Sequence, residues 1–474
     1  MIKFGTGGWR AVIGEDFIKS NIQLVGKALV SRIKDENAED YPVVIGYDRR
    51  FLSKEAMIWL GEVIASNGIK VMLINAASPT PLVMYYIMAH KLKYGLMVTA
   101  SHNPSIYNGI KVITEQGRDA NEFVTRDLEQ RIIKIEESDK ESQIKTLEDL
   151  IIEGKIEFFN PLNEYIDNIL SNIDVAAIRN AGLKIAIDPL FGVSLRSLNT
   201  IFATARCDVQ MLHTEHDTLF AGKMPAPDES TVRTLQNFVT DYHFDLGIAT
   251  DGDADRIGLI DDLGRYINAN EILCILYYYF LEYRHMKTDV VKNLATTCVL
   301  DKIAQYYGQK CHEVPVGFKY ISAKMEETGA YIGGESSGGL TVIGHINGKD
   351  AIYAATLLVE TVAKTGKKLS ELIEEVRAKF GNWYTTECNL SFRADRKSEL
   401  IDRIYHKHDI PEFDLDVENI SFYDGCKVCF KSGGWILIRF SGTEPLLRIF
   451  CEMPLEKTDV AKSLCDSVRM YYNI

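Results

Sequence analysis

This sequence has no long apolar run, few closely spaced cysteines and no excess of positive charge. Residues 272–281 form the longest apolar run, and it is much shorter than the ~20 residues of a membrane-spanning helix. Residues 1–6 lack the basic-then-apolar order of a secretory signal. Low-complexity segments and short repeats are also missing, which argues against disordered and solenoid proteins. We therefore expect a soluble, cytoplasmic protein.

The 474 residues include nine cysteines, an odd number scattered along the chain. A secreted disulfide scaffold is improbable for a chain of this length. Cys426 and Cys429 form a CxxC motif in a segment whose pattern predicts a strand. An odd spacing sends two strand side chains to opposite faces of a sheet. We therefore interpret both as core thiols, not as a redox pair or zinc ligands.

The formal net charge is −13. This excess of negative charge argues against a protein that coats nucleic acid. An acidic chain also repels anionic substrates at long range. If the ligand is a phosphate ester, the cations that bind it must be concentrated locally.

Predicted strands alternate with predicted helices over most of the chain. Apolar runs at 43–47, 71–74 and 95–99 are typical of buried strands, and helical spacing follows them. This alternation predicts α/β domains with largely parallel sheets. The alternating pattern starts again twice along the chain. Residues 426–440 instead predict two antiparallel strands joined by a turn. We predict four domains, which are α/β domain I at 1–150, α/β domain II at 151–262, α/β domain III at 263–378 and a smaller α+β domain IV at 379–474.

Residues 99–104, TASHNP, directly follow an apolar strand. Ligands of parallel α/β sheets bind beyond the carboxyl ends of the strands, so Ser101 occupies a position suited to a nucleophile. His102 adds a candidate base, and Asn103 adds hydrogen-bond donors. An ordinary polar turn ended by Pro104 is the alternative.

Residues 251–256, DGDADR, also follow an apolar strand. In an extended chain Asp251, Asp253 and Asp255 share one side, where three carboxylates repel unless a cation neutralises them. Oxygen ligands suit magnesium or calcium. An EF-hand is disfavoured because the glycine and glutamate that its loop requires are missing. A solvated acidic turn is the alternative.

Residues 333–339, GGESSGG, combine four glycines with Glu335 and Ser337, which can bind hydroxyl groups. The same segment matches the G-x-S-x-G nucleophile elbow, with Ser336 as a rival nucleophile. Residues 344–349 approach a P-loop, but three residues instead of four separate the glycines. We therefore do not favour nucleotide binding.

Residues 439–445, RFSGTEP, and nearby Arg448 combine two arginines, two hydroxyls and a tight turn. Guanidinium groups bind phosphate in a bidentate manner, and the amides of a tight turn form an anion-binding nest. This segment supplies the local positive charge that a phosphate ester requires. A hairpin exit with surface arginines is the alternative.

Together the four loops resemble the α-D-phosphohexomutase family in their order, spacing and distribution of one per domain. Residues 4–10, FGTGGWR, and 316–319, VGFK, are also similar to segments of that family. The resemblance spans residues 4–448. It implies three similar mixed-sheet α/β domains, a smaller α+β C-terminal domain, an active site in the central cleft and an intramolecular phosphotransferase activity.

The resemblance also implies a role for each motif residue. The magnesium ligands would be Ser101, which carries the phosphoryl group, and Asp251, Asp253 and Asp255. The other catalytic residues would be His102 in support of the serine loop, Arg10 and Arg256 beside the phosphoserine, and Lys111, His345 and Lys349 near the departing proton. The substrate-binding residues would be Gly317 and Lys319 beside the sugar, Glu335 and Ser337 on its hydroxyls, and Arg439, Ser441, Gly442, Thr443 and Arg448 on the phosphate that is not transferred.

Glucose 1-phosphate and glucose 6-phosphate are the implied substrates, with mannose phosphates as a second activity and glucose 1,6-bisphosphate as intermediate and activator. A phosphoglucosamine mutase or a mannose-preferring mutase is the alternative within the family, because residues 335–339, ESSGG, match neither the commonest glucose-specific form nor the form typical of glucosamine enzymes. A serine hydrolase that uses Ser336 and a silent sugar-phosphate-binding protein are two competing hypotheses of different function classes. We expect hexose phosphates as partners, neither nucleic acid nor membrane, and a monomer or homodimer.

Overall fold

The computed structural model describes residues 2–5, 8–138, 143–441 and 446–474. The chain divides into two compact units. Unit 1 comprises residues 1–272 and 337–371, and unit 2 comprises residues 273–336 and 372–474.

The first sheet of unit 1 is built from β1 (Gly8–Val12), β2 (Val43–Tyr47), β3 (Val71–Ile74), β4 (Tyr94–Val98), β5 (Tyr107–Thr114), β6 (Arg118–Asp119) and β7 (Ile156–Phe159). Its strand order is β1-β5-β4-β2-β3-β7, with β6 paired to β5. Strands β4, β2, β3 and β7 pair in parallel, whereas β5 pairs antiparallel with β4, β1 and β6. The sheet is therefore mixed, and its parallel strands end at a common edge.

The helices of this region are α1 (Lys19–Asp35), α2 (Ser53–Ser66), α3 (Thr80–Ala89), α4 (Glu122–Glu137) and α5 (Leu147–Ile152). In α1, Ile22, Val25, Leu29 and Ile33 recur at helical spacing and are all buried. This apolar stripe belongs to the same core cluster as the buried side chains of α2 and the sheet.

The second sheet of unit 1 is built from β8 (Lys184–Asp188), β9 (Asp208–Met211), β10 (Leu246–Thr250), β11 (Ile257–Ile260) and β12 (Tyr266–Ile267). Its order is β12-β11-β10-β8-β9, and β10, β8 and β9 are parallel. The accompanying helices are α6 (Leu162–Ser171), α7 (Val175–Ala181), α8 (Leu195–Thr204) and α9 (Arg233–Tyr242). The DGDADR segment follows β10 directly, so it begins at the carboxyl end of a buried parallel strand.

The third region contains α10 (Ala269–Tyr278), β13 (Val290–Asn293), α11 (Val299–Tyr306), β14 (Cys311–Val314), α12 (Phe318–Thr328), β15 (Ile332–Gly334), β16 (Leu340–Val342), α13 (Ala351–Thr365) and α14 (Leu369–Phe380). In unit 2, β13 pairs in parallel with β14 and with β15. The buried helix α13 belongs to unit 1, where it packs against α7 and α8.

The C-terminal region of unit 2 contains β17 (Trp383–Ser391), α15 (Lys397–Ile401), β18 (Val417–Ser421), β19 (Cys426–Phe430), β20 (Trp435–Phe440), β21 (Leu446–Pro454) and α16 (Thr458–Tyr472). The sheet order is β17-β21-β20-β19-β18, with antiparallel pairing throughout. Gly433 and Gly434 have φ angles of 83° and 88° in the turn between β19 and β20, where glycine carries no steric penalty. The predicted hairpin is confirmed.

The predicted α/β fold class, with mixed sheets followed by an antiparallel C-terminal sheet, is confirmed. All nine cysteines are free thiols. Cys426 lies in the core of the C-terminal region, whereas Cys429 packs against the separate apolar cluster of Leu294 and Trp435. The two sulfurs therefore face opposite sides of the sheet, as predicted. Across the described residues, every helix is too short or too polar to cross a membrane.

Candidate active site

The serine loop (residues 99–104) begins where β4 ends, and it places Ser101 in contact with the metal loop (residues 251–256). Ser101 is 1% exposed and has a φ of 51°, in the left-handed region. Its Oγ donates a hydrogen bond to Asp251 Oδ2 at 2.7 Å, and its backbone N–H donates to Thr99 Oγ1 at 2.8 Å. The predicted nucleophile and a predicted metal ligand therefore meet although 150 residues separate them.

The three aspartates of the metal loop form a buried cluster. Oxygen atoms from Asp251, Asp253 and Asp255 lie within 4.8 Å of one another. The Oδ1 atoms of Asp253 and Asp255 are buried and have no hydrogen-bond partner. Buried carboxylate oxygens without donors are costly, and an oxygen-liganded divalent cation would satisfy them. The donor set therefore fits magnesium, as the sequence predicted.

The other oxygen of each of these two carboxylates is occupied by protein donors. Lys111 Nζ lies 2.7 Å from both Asp253 Oδ2 and Asp255 Oδ2, and Lys349 Nζ lies 3.2 Å from Asp255 Oδ2. Thr80 Oγ1 donates to Asp253 Oδ2 at 2.5 Å. The protein thus orients each carboxylate and leaves one oxygen for a ligand.

The charges in this cluster act strongly on one another. Burial would raise the pKa of Asp255, but Lys111, Lys349 and Arg256 hold that pKa well below its ordinary value. Burial and the negative charges of Asp255 and Asp253 raise the pKa of Asp251. Burial opposes the charged form of Lys111, yet the two carboxylates that it contacts raise its pKa. The cluster is therefore an ion-pair network within the protein.

Arg10 and His102 flank the serine loop. Arg10 donates to Asn103 Oδ1 at 2.7 Å, and its strand β1 pairs with β5 in the register Arg10↔Gly109. A Cβ at Gly109 would lie 2.3 Å from the Trp9 carbonyl oxygen, so only glycine allows this close pairing. Arg256, burial and Arg10 hold the pKa of His102 well below its ordinary value. These surroundings disfavour a charged His102; its predicted role in supporting the loop stays a prediction.

His345 lies in a packed aromatic and polar cluster. Its Nε2 is 2.6 Å from Asp350 Oδ2, and its Nδ1 is 2.9 Å from Asn168 Oδ1. Asp350 also accepts hydrogen bonds from the first amides of α13 and from Tyr165. These contacts hold His345 in place four residues before Lys349. A catalytic role for His345 stays a prediction.

The predicted sugar-binding residues of unit 2 lie next to a strand end and a helix start. Glu335 follows β15, and Gly317 and Lys319 lie at the start of α12. Asn293 Nδ2 donates to Glu335 Oε2 at 3.3 Å. Gly317 has a φ of 135° immediately before α12, a conformation that favours glycine. Lys319 Nζ lies 5.0 Å from the centroid of the Tyr320 ring. Their contact with a sugar stays a prediction.

Ser337 belongs to unit 1, next to the metal loop. Ile257 N–H donates to the Gly338 carbonyl oxygen at 3.3 Å, and a Cβ at Gly338 would lie 3.1 Å from the Ile257 carbonyl oxygen. The second half of the glycine-rich loop therefore runs close to the backbone that follows Arg256.

Two arginines of the predicted phosphate loop face each other in unit 2. Arg439 on β20 pairs directly with Arg448 on β21. Asp424 accepts from Arg439 Nε at 3.0 Å, while Arg448 Nε is buried without a hydrogen-bond partner. Ser441 is buried beside them, and its N–H donates to the Leu446 carbonyl oxygen. Gly442 and Thr443 lie outside the described residues.

Sequence reasoning missed three residues that position this site: Thr80, Asp48 and Arg50. Thr80 begins α3 after a proline, and Asp48 and Arg50 follow β2. Polar residues after buried parallel strands were the available signal, because the strand ends share one edge of the sheet.

Comparison with known proteins identifies the family. Family models described as phosphoglucomutase/phosphomannomutase alpha/beta/alpha domains I, II and III and C-terminal domain match residues 1–139, 163–264, 268–380 and 391–469. A probable phosphoglucosamine mutase of Methanocella arvoryzae is 31% identical over 455 residues, which cover 95% of this chain and 94% of that protein. The chain belongs to the phosphoglucomutase/phosphomannomutase family.

Two further relatives support this membership. A phosphoglucomutase/phosphomannomutase of Thermococcus kodakarensis is 29% identical over 457 residues, covering 96% of this chain and 95% of that protein. The crystal structure of a putative phosphomannomutase from Thermus thermophilus superposes with a TM-score of 0.85 at 27% identity, covering 100% of this chain and 99% of that one. Members of the phosphoglucomutase/phosphomannomutase family are mutases, so this chain is an intramolecular phosphotransferase.

Membership of the phosphoglucomutase/phosphomannomutase family confirms the resemblance carried by the four loops. The serine hydrolase hypothesis would give Ser336 the central role, and it explains neither the aspartate cluster nor the opposed arginines. The assignment of individual site residues and the four domain boundaries stay predictions.

Proposed function

We propose that this enzyme interconverts the 1- and 6-phosphates of a hexose through a phosphoryl group carried by Ser101. The observation that carries the proposal is the buried hydrogen bond between Ser101 Oγ and Asp251, inside a cluster of three aspartates and two lysines. A serine hydroxyl has no such surroundings in an ordinary turn. Carboxylates, cations and a hydroxyl together are suited to phosphoryl transfer.

The bound cation would be held by Asp251, Asp253, Asp255 and an oxygen of the phosphoserine. Magnesium there would stabilise the negative charge on the transferring phosphoryl oxygens. Thr80 and Lys111 orient Asp253 for this task, since both donate to its Oδ2 and leave Oδ1 without a partner.

The transfer breaks the bond between phosphorus and Ser101 Oγ and forms a bond between phosphorus and a sugar hydroxyl oxygen. The resulting bisphosphorylated sugar turns around and returns its other phosphoryl group to Ser101. The proton of the attacking hydroxyl needs an acceptor. Lys111, His345 and Lys349 are the candidate acceptors, and each of them contacts a carboxylate of unit 1.

Arg10, Arg256 and the phosphate loop take complementary roles in this proposal. Arg10 and Arg256 balance the charge of the phosphoserine. Arg439, Ser441 and Arg448, with Gly442 and Thr443, bind the phosphate that is not transferred. One such pocket can serve both substrates because the sugar reverses its orientation between the two half-reactions.

Glucose phosphate is our first choice of substrate and mannose phosphate the second. The His345-x3-Lys349 spacing is similar to that of some phosphoglucomutases. Glucosamine phosphate is the alternative, and the names of the relatives favour keeping it, since they include both phosphoglucomutase/phosphomannomutase and phosphoglucosamine mutase. A coupled assay that compares kcat/KM for the three hexose phosphates decides among them.

The decisive variant is Ser101→Ala, with Ser105→Ala as a matched control in the same loop. We expect Ser101→Ala to abolish turnover on every hexose phosphate while the chain still folds. The lost hydrogen bond to Asp251 should cost ~1–3 kcal/mol of stability. Ser105→Ala should behave as the wild type. Normal mutase activity in Ser101→Ala would refute the proposal, and loss of activity in Ser336→Ala alone would favour the serine hydrolase hypothesis.

A further inference from the structure

Arg50 makes an unusual set of contacts with the serine loop. It follows β2, is 3% exposed, and donates to four backbone carbonyl oxygens of residues 101–107. The acceptors are Ser101 and Asn103, each at 2.6 Å, Pro104 at 2.9 Å and Tyr107 at 3.0 Å. One guanidinium group therefore gathers the carbonyl groups of the segment that carries the nucleophile.

The conformation of this loop explains why it needs such a group. Ser101 adopts a φ of 51°, which is unfavourable for a residue with a Cβ and persists only where surrounding contacts enforce it. Carbonyl groups that converge on one point also repel each other. A planar guanidinium offers five fixed N–H donors, whereas a lysine offers a single charged nitrogen on a flexible stem.

Asp48 completes the support from the other side of Ser101. The Ser101 N–H donates to Thr99 Oγ1 at 2.8 Å, and Thr99 Oγ1 donates to Asp48 Oδ2 at 2.6 Å. Asp48 also accepts from the Arg50 backbone N–H at 2.9 Å. Both backbone polar groups of Ser101 are thus linked to the Asp48–Arg50 pair, the carbonyl directly and the N–H through Thr99.

The metal loop lies against the same carbonyl group. A Cβ at Gly252 would be 2.9 Å from the Ser101 carbonyl oxygen, so the two backbones are in close contact there. Displacement of the carbonyl that Arg50 binds would shift Ser101 Oγ away from Asp251, which it contacts at 2.7 Å.

We propose that Arg50 is a positioning residue for phosphoryl transfer, which holds the Ser101 backbone so that Oγ stays beside the aspartate cluster. This inference rests on the proposed function of Ser101. Arg50 contacts the backbone of the loop and not the predicted sugar- or phosphate-binding residues. Its loss should therefore lower kcat and leave KM nearly unchanged.

The test variant Arg50→Lys removes the planar set of guanidinium N–H donors and keeps the positive charge. Because a displacement of about 1 Å can cost ~10²-fold in rate, we expect Arg50→Lys to lower kcat by about 10²-fold with KM within about threefold. Arg50→Ala should be slower still, and added guanidinium ion should restore part of its kcat by filling the vacated site. Arg32→Lys is the matched control, since Arg32 is also buried in the first sheet's domain but donates to Tyr94 and Asp127.

A second measurement does not depend on activity. Hydrogen–deuterium exchange of the peptide covering residues 99–107, in a Ser101→Ala background, should become faster with Arg50→Lys and stay unchanged with Arg32→Lys. Wild-type kcat and exchange in Arg50→Lys would overturn the inference. The inference would also be overturned if Arg50→Lys and Arg32→Lys each lost activity only in proportion to their loss of thermal stability, and if guanidinium ion did not restore the activity of Arg50→Ala. Absence of mutase activity or of phosphate on Ser101 in the wild type would instead refute the proposed function.

Discussion

In unit 1 the carboxylates of Asp253 and Asp255 are buried against the ammonium group of Lys111, whereas in unit 2 the guanidinium groups of Arg439 and Arg448 stand opposite each other on paired strands. Burying a charge costs several kcal/mol unless an opposite charge compensates it, and like charges on directly opposed strand residues are destabilising. Unit 1 therefore supplies counter-charges from the protein itself. In unit 2, Asp424 compensates Arg439, and a bound phosphate would compensate Arg448, whose Nε is buried without a hydrogen-bond partner.

The comparison predicts that removing a buried lysine charge from unit 1 lowers both the stability of the fold and the catalytic activity. Lys111→Met leaves two buried carboxylates without their shared partner, and we expect it to lower the free energy of unfolding by ~3–5 kcal/mol and to abolish measurable turnover. Urea unfolding in magnesium-free buffer measures the first effect. Lys70→Met is the control, because Lys70 pairs with Glu157 at the surface, where such pairs contribute ~0–1 kcal/mol. Equal losses in the two variants would contradict the account.

A smaller change tests whether unit 1 also orients its carboxylates for the cation. Thr80→Val removes the hydroxyl that donates to Asp253 Oδ2, and loss of such an outer contact typically weakens metal binding by ~10–100-fold. We expect magnesium affinity to fall by that factor, measured by calorimetric titration of the purified protein. Thr80→Ser keeps the hydroxyl and should retain most of the affinity. Unchanged affinity in Thr80→Val would show that Lys111 orients Asp253 alone.

Sequence patterns predicted the loops of this site better than the contacts that hold them. TASHNP and DGDADR stood out because polar residues follow buried strands. The two strands, β4 and β10, belong to different sheets, so the sequence could not show that the loops meet. Thr80 carries no local signal, since its partner Asp253 lies 173 residues away in the chain. Arg50 follows the buried strand β2, but the sequence does not show which carbonyl groups it binds. His345 and Arg439 matched motif positions, but the sequence could not show that Asp350 and Asp424 already contact them.

The sequence predicted individual helices and strands but not the division of the chain into two compact units. Helix α2 and strands β2, β3 and β19 lie where apolar spacing placed them, because each period of burial is local. The division into two units was not visible, because it depends on α13 packing against α7 and α8 from a distant part of the chain.

For unit 2 the comparison predicts a loss of binding with little loss of stability. Arg448→Ala removes a guanidinium group whose Nε is buried without a hydrogen-bond partner. A hydrogen bond to a charged group contributes ~1.5–3 kcal/mol, which corresponds to a ~10–100-fold rise in KM. The melting temperature should stay the same or rise slightly. Arg393→Ala, which removes an exposed arginine of the same domain, should leave KM unchanged. A fall in kcat with constant KM for Arg448→Ala would contradict this interpretation.

The smallest expected effect concerns the ion pair between His213 and Asp188. Asp188 is the last residue of β8, which pairs with the strand that leads into the metal loop. The hydrogen bond that His213 Nδ1 donates to Asp188 Oδ2 raises the pKa of His213. The negative charges of Asp188 and Glu215 add to this effect, and burial and Lys223 oppose it. Because the folded-state pKa is raised above the ordinary ~6.5, this stabilisation is complete below the unfolded value and is lost as pH rises through the folded value. His213→Gln should therefore lower the melting temperature by a few degrees at pH 5.5 and by less at pH 9. An equal shift at both pH values would contradict the ion pair.

The central claim is that the Ser101 hydroxyl beside the aspartate cluster carries the phosphoryl group. Its most direct test is intact-mass and peptide mass spectrometry of the wild-type protein after incubation with glucose 1,6-bisphosphate and magnesium. The account predicts one added phosphoryl group per chain, located on Ser101, and its transfer to added hexose monophosphate. A protein that turns over hexose phosphates while Ser101 stays unmodified, or while another residue carries the group, would contradict it.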